Sequence, residues 1–280
     1  MVATQTKKPI KGIINSYYPS LTKSAQKVAD FVLENLDQVM YYSVTDLADE
    51  VGVGETTVLR FCKKIGFKGY QEFKLSIAQN VPNEQESDEP ESPNLIQSIS
   101  TNTIQAIKHT ASMISESDLN SAVRLLEDAN SIHFFGVGTS GLTALDAKSR
   151  FLRIGRRTES ITDSHLQAMT AATLSEGDVV VGISVSGSTR DTVRSLEIAK
   201  ENGAKIIAIT YYSRSPITQL ANIVLNGGGK ESPLEGGSLT AKMSQLFVID
   251  LLCTGMALLN KDSSIDMKRK TASAVVDKIY

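Results

Sequence analysis

The sequence predicts an all-helical domain followed by a larger α/β domain, built on a parallel sheet flanked by helices. Three observations carry this. Up to about residue 79, apolar residues recur at helical spacing. Residues 80–94, NVPNEQESDEPESPN, hold five acids and three prolines with almost nothing apolar. Such a segment buries too little surface to offset its ordering entropy, and it reads as a linker. Beyond it, short β-branched bursts alternate with helical stretches, the pattern of a parallel sheet. The expected division is 1–79, a linker at 80–94, and 95–280. A chain of 280 residues suits two domains better than one.

In the first part, Leu21, Ala25, Val28, Ala29, Val32 and Leu36 fall on one face of a helix. Ser43 followed by Asp46 has the spacing of a capping box, which opens a short helix through Val51. Gly52-Val53-Gly54 makes a tight turn, and Glu55 to Ile65 forms a second helix stopped by Gly66. A further amphipathic helix runs from about Tyr70 to Gln79. Two short helices joined by a glycine-containing turn make a helix-turn-helix.

On a wheel of about 100° per residue, Val58, Phe61, Cys62 and Ile65 of the second helix gather on one side. Cys62 is thus expected to be a core thiol. Thr56, Thr57, Arg60, Lys63 and Lys64 gather on the other side: three cations, two hydroxyls and no acid. Lys and Arg neutralise phosphates, and Arg and Thr reach base edges in the major groove. These five residues are the expected DNA-binding face. Glu55 begins the helix, where the dipole favours an anion. Residues 1–79 hold ten Lys and Arg against eight Asp and Glu. The competing reading is a helical docking or dimerisation module with a solvated basic face.

In the second part, the strand candidates are SIHFFGVG, DVVVGISVSG, AKIIAIT and NIVLN, with helices near 142–154, 189–202 and 238–259. Ligands of parallel sheets bind beyond the carboxyl ends of strands, where loops enter helix N-termini. VVVGISVSGSTRDT lies at such an end. Ser184 and Ser186, two apart, are expected to point the same way, and Gly187 to allow a sharp turn. Free amides at the next helix start attract phosphate, and Ser184, Ser186, Ser188 and Thr189 add neutral hydroxyl donors. Helix capping accounts for one or two such hydroxyls, but not four.

The first strand ends in Gly136-Val137-Gly138-Thr139-Ser140-Gly141, a G-x-G-x-x-G match, with Glu159 following near a plausible next strand end. A dinucleotide site is therefore a rival. Thr139 and Ser140 suit a discrete phosphate or sugar hydroxyl better than a pyrophosphate.

The totals exclude several classes. At 41% hydrophobic and 21% charged, with net charge −2, the chain is ordinary globular material without a global basic field. Cys62 and Cys253 are too few for a disulfide framework or zinc site and fit a reducing compartment. The start, MVATQTKKPIKG, lacks the apolar region of a secretion signal. Met243 to Leu259 is interrupted by Asp250 and Thr254, and reads as a core helix rather than a membrane span. A cytoplasmic protein with no metal, cofactor or membrane partner is expected.

GVGTSG together with SVSGSTRDT resembles the paired sugar-phosphate loops of SIS (sugar isomerase) domains. SVTDLADEVGVGETTVLRFCKKIGFKGYQEFK resembles the N-terminal helix-turn-helix of RpiR-type transcription regulators. The resemblance covers about residues 10 to 260. It implies a bacterial repressor or activator, a homodimer or tetramer, whose SIS domain binds a phosphorylated sugar that modulates operator DNA binding. By the same resemblance Ser140, Ser184, Ser186, Ser188 and Thr189 hold the effector. Gly138, Thr139 and Gly187 belong to the loops that carry them.

Sugar isomerisation needs a positioned carboxylate base. From Leu142 to Arg153 the one acid is Asp146, among Lys148, Arg150 and Arg153. Glu159, Asp163 and His165 are candidates to contact sugar hydroxyls, and Glu231 and Glu235 to approach the site. None is placed as a base should be, so no catalytic residue is expected. A phosphosugar isomerase with an appended helical module is the runner-up. His133 is expected to be a hydrogen-bonded core residue. The apolar stretch 243–259 and the helical stretch 95–115 are candidates for a dimer surface.

Overall fold

The computed structural model describes residues 9–80, 94–229, 231, 233–234 and 236–278. It divides into two compact units, Met1–Ser98 with Lys230–Gly236, and Ile99–Gly229 with Gly237–Tyr280. The expected linker, apart from its two end residues, lies outside the described residues.

The first unit is helical: α1 (Ile10–Tyr17), α2 (Lys23–Glu34), α3 (Leu36–Val39), α4 (Val44–Val51), α5 (Glu55–Lys64) and α6 (Tyr70–Ala78). The expected capping box opens α4. Ser43 Oγ accepts from the Asp46 N–H at 3.0 Å, and Asp46 Oδ2 accepts from the Ser43 N–H at 2.9 Å. Gly52, at φ +70°, turns the chain out of α4 into the loop before α5. Thr45 Oγ1 donates to Glu55 Oε1 at 2.6 Å, tying the two helices together. Val28, Val32, Leu47, Val58, Phe61, Phe73 and Ile77 are buried in one core. Within it Phe61 and Phe73 meet edge to face at 5.6 Å.

The chain continues as α7 (Leu95–Met113), which enters the second unit at Ile99, then α8 (Glu116–Glu127), β1 (Ser131–Phe135), α9 (Gly138–Arg153), β2 (Thr158–Ile161), α10 (Ser164–Thr173), β3 (Asp178–Ile183), α11 (Arg190–Glu201), β4 (Lys205–Thr210), β5 (Ile223–Asn226), α12 (Leu239–Leu259) and α13 (Lys261–Ser273). Every strand pair is parallel and the order is β2-β1-β3-β4-β5. Residues from alternate faces of β3 enter different clusters. Val179, Val181 and Ile183 pack with Phe134, Val248 and Leu252, whereas Val180 packs with Leu196 and Ala199. Burial on both faces explains its unbroken apolar run.

Several elements differ from expectation: Leu36 of the expected stripe falls in α3 rather than α2, and α10 and α13 are further helices. The strand β2 reads T-E-S-I, with no apolar run; it forms because the edge of β1 accepts it, Phe135 level with Ile161. Helix α9 begins at Gly138 rather than near 142, so the glycine loop is itself the first helical turn. By length and composition α12 could cross a membrane. Here it buries Val248, Ile249, Leu252 and Met256 on one face, and Asp250 pairs with Arg150 at 2.8 Å.

Candidate functional site

In the first unit, α5 buries Val58, Phe61 and Cys62 and turns Thr56, Arg60, Lys63 and Lys64 outward, with Thr57 half-buried at the margin. Burial pushes the Cys62 thiol up to about 12, so it is inert. Glu55 accepts from Thr45 at the inner end of the helix. The outer face therefore keeps the expected cations without an intervening acid.

In the second unit the strand order decides the site. From β1 the chain runs to β2 on one side, while β3 lies on the other, so β1 and β3 flank the topological switch point. The two hydroxyl-rich loops follow these two strands and are thereby neighbours. Helices α9 and α11 begin there with Val137 and Thr189 at their N-cap positions, and neither receives a side-chain cap. Helices α2, α4, α8, α10 and α12 are capped by Thr22, Ser43, Ser115, Asp163 and Ser238, while α1, α3, α5, α6 and α13 also lack a side-chain cap; what sets α9 and α11 apart is that they start at adjacent strand ends. Two uncapped helix starts at adjacent strand ends present amides and positive dipole ends to one place.

The β3 loop departs from the expected geometry. Ser184 and Ser186 do not share a direction, because the chain turns at once: the Gly187 N–H donates to Ser184 C=O at 3.1 Å. Ser184 is buried and its hydroxyl lies 2.9 Å from Thr189 Oγ1. Half-buried Ser186 accepts from the Ser188 N–H at 3.3 Å, and Ser188 Oγ donates to Ser186 C=O at 3.1 Å. Thr189 thus occupies the cap position with its hydroxyl engaged elsewhere, so the hydroxyls do not serve as helix caps. Gly187 has φ +60°, and a Cβ there would meet Ser215 Oγ at 2.1 Å. Ser215 is fully buried and its hydroxyl has no hydrogen-bond partner.

In the β1 loop, Gly138 (φ +57°) and Thr139 are exposed, while Ser140 is buried and accepts from Gln245 Nε2 at 3.2 Å. A Cβ on Gly136 would lie 2.8 Å from the Ser140 carbonyl oxygen, so the glycine pattern serves close packing of helix on strand. Glu159 pairs in register with His133, in the middle of β1, with its carboxylate 3.7 Å from His133 Nδ1. It does not stand at a strand end, where a dinucleotide's ribose contact is needed, which removes the rival's acidic residue.

The remaining candidates also have other partners. Asp146 pairs with Arg150, and Asp163 caps α10 by accepting from the Leu166 N–H at 2.9 Å. His165 is exposed in the first turn of that helix. His133 is buried with its Nε2 at 2.7 Å from Ser131 Oγ, and burial lowers its pKa against the pull of Glu159 and Asp178. Glu231 is half-buried, and Glu235 lies outside the described residues.

Several residues at the site carry no sequence signal. Lys242 Nζ donates to Thr139 C=O and, at 2.9 Å, to Thr143 Oγ1; burial lowers its pKa. Gln245 joins Ser140 and Thr143 from α12. Gln167 is fully buried, and its Nε2 donates to Gly136 C=O at 3.1 Å and Ile161 C=O at 2.7 Å. It pins the ends of β1 and β2.

Known proteins resemble the chain along nearly all of its length. The helix-turn-helix domain of the rpiR family matches residues 9–84, and the SIS domain matches residues 125–255. An HTH-type transcriptional regulator of Haemophilus influenzae is 36% identical over 274 residues, 94% of this chain and 95% of that protein. The HTH-type transcriptional regulator HexR of Pseudomonas aeruginosa is 34% identical over 88% of each chain. RpiR of Escherichia coli is 29% identical over 92% of this chain and 88% of its own. Vibrio vulnificus NanR, solved in complex with ManNAc-6P, superposes with a TM-score of 0.88 at 27% identity, covering 97% of this chain and all of that one. A helix-turn-helix carrying an acid-free cationic face, a parallel five-stranded sheet behind it in sequence, and these relatives together place the chain in the rpiR family of transcription regulators, with a SIS domain as its C-terminal part.

Proposed function

We propose that this regulator binds operator DNA through Thr56, Thr57, Arg60, Lys63 and Lys64 on α5, and a phosphorylated sugar at the β1/β3 switch point. The observation that carries the effector reading is the pair of uncapped helix starts, α9 and α11, flanked by neutral hydroxyls. Ser184, Ser186, Ser188 and Thr189 form the phosphoryl seat with the first amides of α11. A phosphoryl group takes a donor from Ser184 and from Thr189 and replaces their mutual hydrogen bond. Gly138, Thr139 and Ser140 face the sugar, and Gly187 holds the turn. The solved complex of NanR with ManNAc-6P supports this class of ligand.

The protein responds to its ligand without converting it. Asp146 pairs with Arg150, Asp163 caps α10, and Glu159 lies in the second position of β2 rather than at its carboxyl end, so none is placed at the switch point as a base. It acts in the cytoplasm as a homodimer or tetramer, where two α5 helices meet half-sites at a fixed spacing. Exposed Leu142, Leu145 and Leu152 of α9, and exposed Leu166 and Met169 of α10 on the other face of the sheet, are apolar positions suited to a second copy. Exposed Leu95, Ile96, Ile99 and Ile104 keep α7 a candidate as well. Helix α12 buries one face in its own core, and its half-buried Leu246, Phe247 and Leu251 with exposed Leu258 and Leu259 keep it a candidate too.

Titrating the protein with a panel of phosphosugars and NAD(H), read as thermal shift, tests the ligand class. A phosphosugar should stabilise the protein, and the Ser184→Ala, Ser186→Ala double variant should lose that response while staying folded. Survival of the response in that variant overturns the assignment of the seat. Turnover of the bound sugar makes the protein an isomerase.

A further inference from the structure

At the end of α9 and α12 remote from the phosphoryl seat, these helices and α13 enclose a groove of about 470 Å³. Its apolar lining includes Ile154, Cys253, Ala257 and Ile265. Its cationic lining is Arg150 and Arg153 from the last turn of α9, and Lys261 and Lys268 from α13. Asp250 is the acid lining it, and it is engaged by Arg150 at 2.8 Å. Arg153, Lys261 and Lys268 have no ion-pair partner among the described residues. Leu258, on its margin, is 68% exposed.

We propose that this groove docks an acidic, amphipathic helical segment of a partner protein. Lys261 and Lys268 are seven residues apart on one helix, about 10 Å along its axis. A lone carboxylate or phosphate reaches one of them; an occupant that satisfies both, and Arg153 opposite, carries several acids spread over two turns. Apolar and cationic residues line the same groove, so the occupant presents an apolar stripe beside its acids, which is how a helix fills a groove. Symmetric pairing of two copies through the groove sets these cations against their own equivalents, so charge disfavours a second copy here.

The test uses the full chain and three labelled 18-residue peptides, followed by fluorescence anisotropy. One has Leu at helical spacing and Glu elsewhere, one has Lys in place of Glu, and one is a shuffle of the first. The Glu peptide should saturate at low salt, weaken as salt rises, and bind at least tenfold more weakly to Lys261→Glu, Lys268→Glu. Lys261→Arg, Lys268→Arg should retain it, and the phosphosugar thermal shift should stay unchanged in both variants. Equal binding of the shuffled or Lys peptide, or undiminished binding by the charge-reversed protein, overturns the proposal. So does a change of oligomeric state in that variant by sedimentation, which assigns the groove to a second copy.

Discussion

Single residues show how burial alters chemistry that the sequence leaves ordinary. Lys74 is 5% exposed in the helical core, where Nζ donates to Tyr42 C=O at 2.7 Å. Burial lowers its pKa to about 8, against the attraction of Asp46. An unfolded lysine titrates near 10.4, so between about pH 8 and 10.4 the unfolded chain holds more of the proton. The contribution of Lys74 to stability therefore rises with pH across that window and is lost as pH falls through about 8. The urea midpoint of this domain in wild type, relative to Lys74→Met, should be higher at pH 9.5 than at pH 7.5; an unchanged difference refutes the titration. Gly187 shows steric control instead. Its φ of +60° and the approach of Ser215 Oγ leave no room for a methyl group. Gly187→Ala should move the loop, separate Ser184 from Thr189, and weaken phosphosugar binding tenfold or more by calorimetry. The buried strand β3 should hold, so far-UV circular dichroism should not change.

At the scale of elements, α5 has an inner face that holds the domain together and an outer face that carries its cations, the face proposed to meet DNA. Arg60→Ala, Lys63→Ala removes two exposed cations without touching Val58, Phe61 or Cys62. Helix content should stay constant, while the slope of log K against log salt for operator binding falls by about two. An unchanged slope moves the DNA face elsewhere. Helices α9 and α11 start without a side-chain cap at two adjacent strand ends. Leaving a helix start without a side-chain cap forgoes about 1 kcal/mol of stability, and the arrangement makes sense where a ligand supplies the missing acceptor. The strand β2 illustrates dependence on a neighbour: T-E-S-I becomes a strand because β1 presents an unpaired edge.

For the whole molecule, effector and DNA binding are coupled only as far as the effector distinguishes two arrangements of the protein, with couplings typically of 1–3 kcal/mol. If copies pair through α9 and α10, Leu145→Glu with Met169→Glu should give monomers in sedimentation velocity. Binding to a two-half-site operator should then drop far more than binding to one half-site. Much of this organisation could be read before any coordinates. The helical stripe of α2, the capping box at Ser43, the stop at Gly66 and the unbroken run of β3 depend on neighbours within a turn or two, or on burial of both faces, and local pattern records such causes. The hydroxyl cluster at 184–189 was equally visible, but not its shape: the Gly187 turn sends Ser184 to Thr189 and Ser186 to Ser188. Nor did any local signal mark Lys242, Gln245 or Lys74. Gln245 meets Ser140 across 105 positions of chain, and Lys74 meets Tyr42 across 32. Composition and periodicity thus specified the elements and their chemistry. Strand order alone made neighbours of the β1 and β3 loops, because adjacency in a sheet arises from pairing between distant segments, which no local stretch encodes.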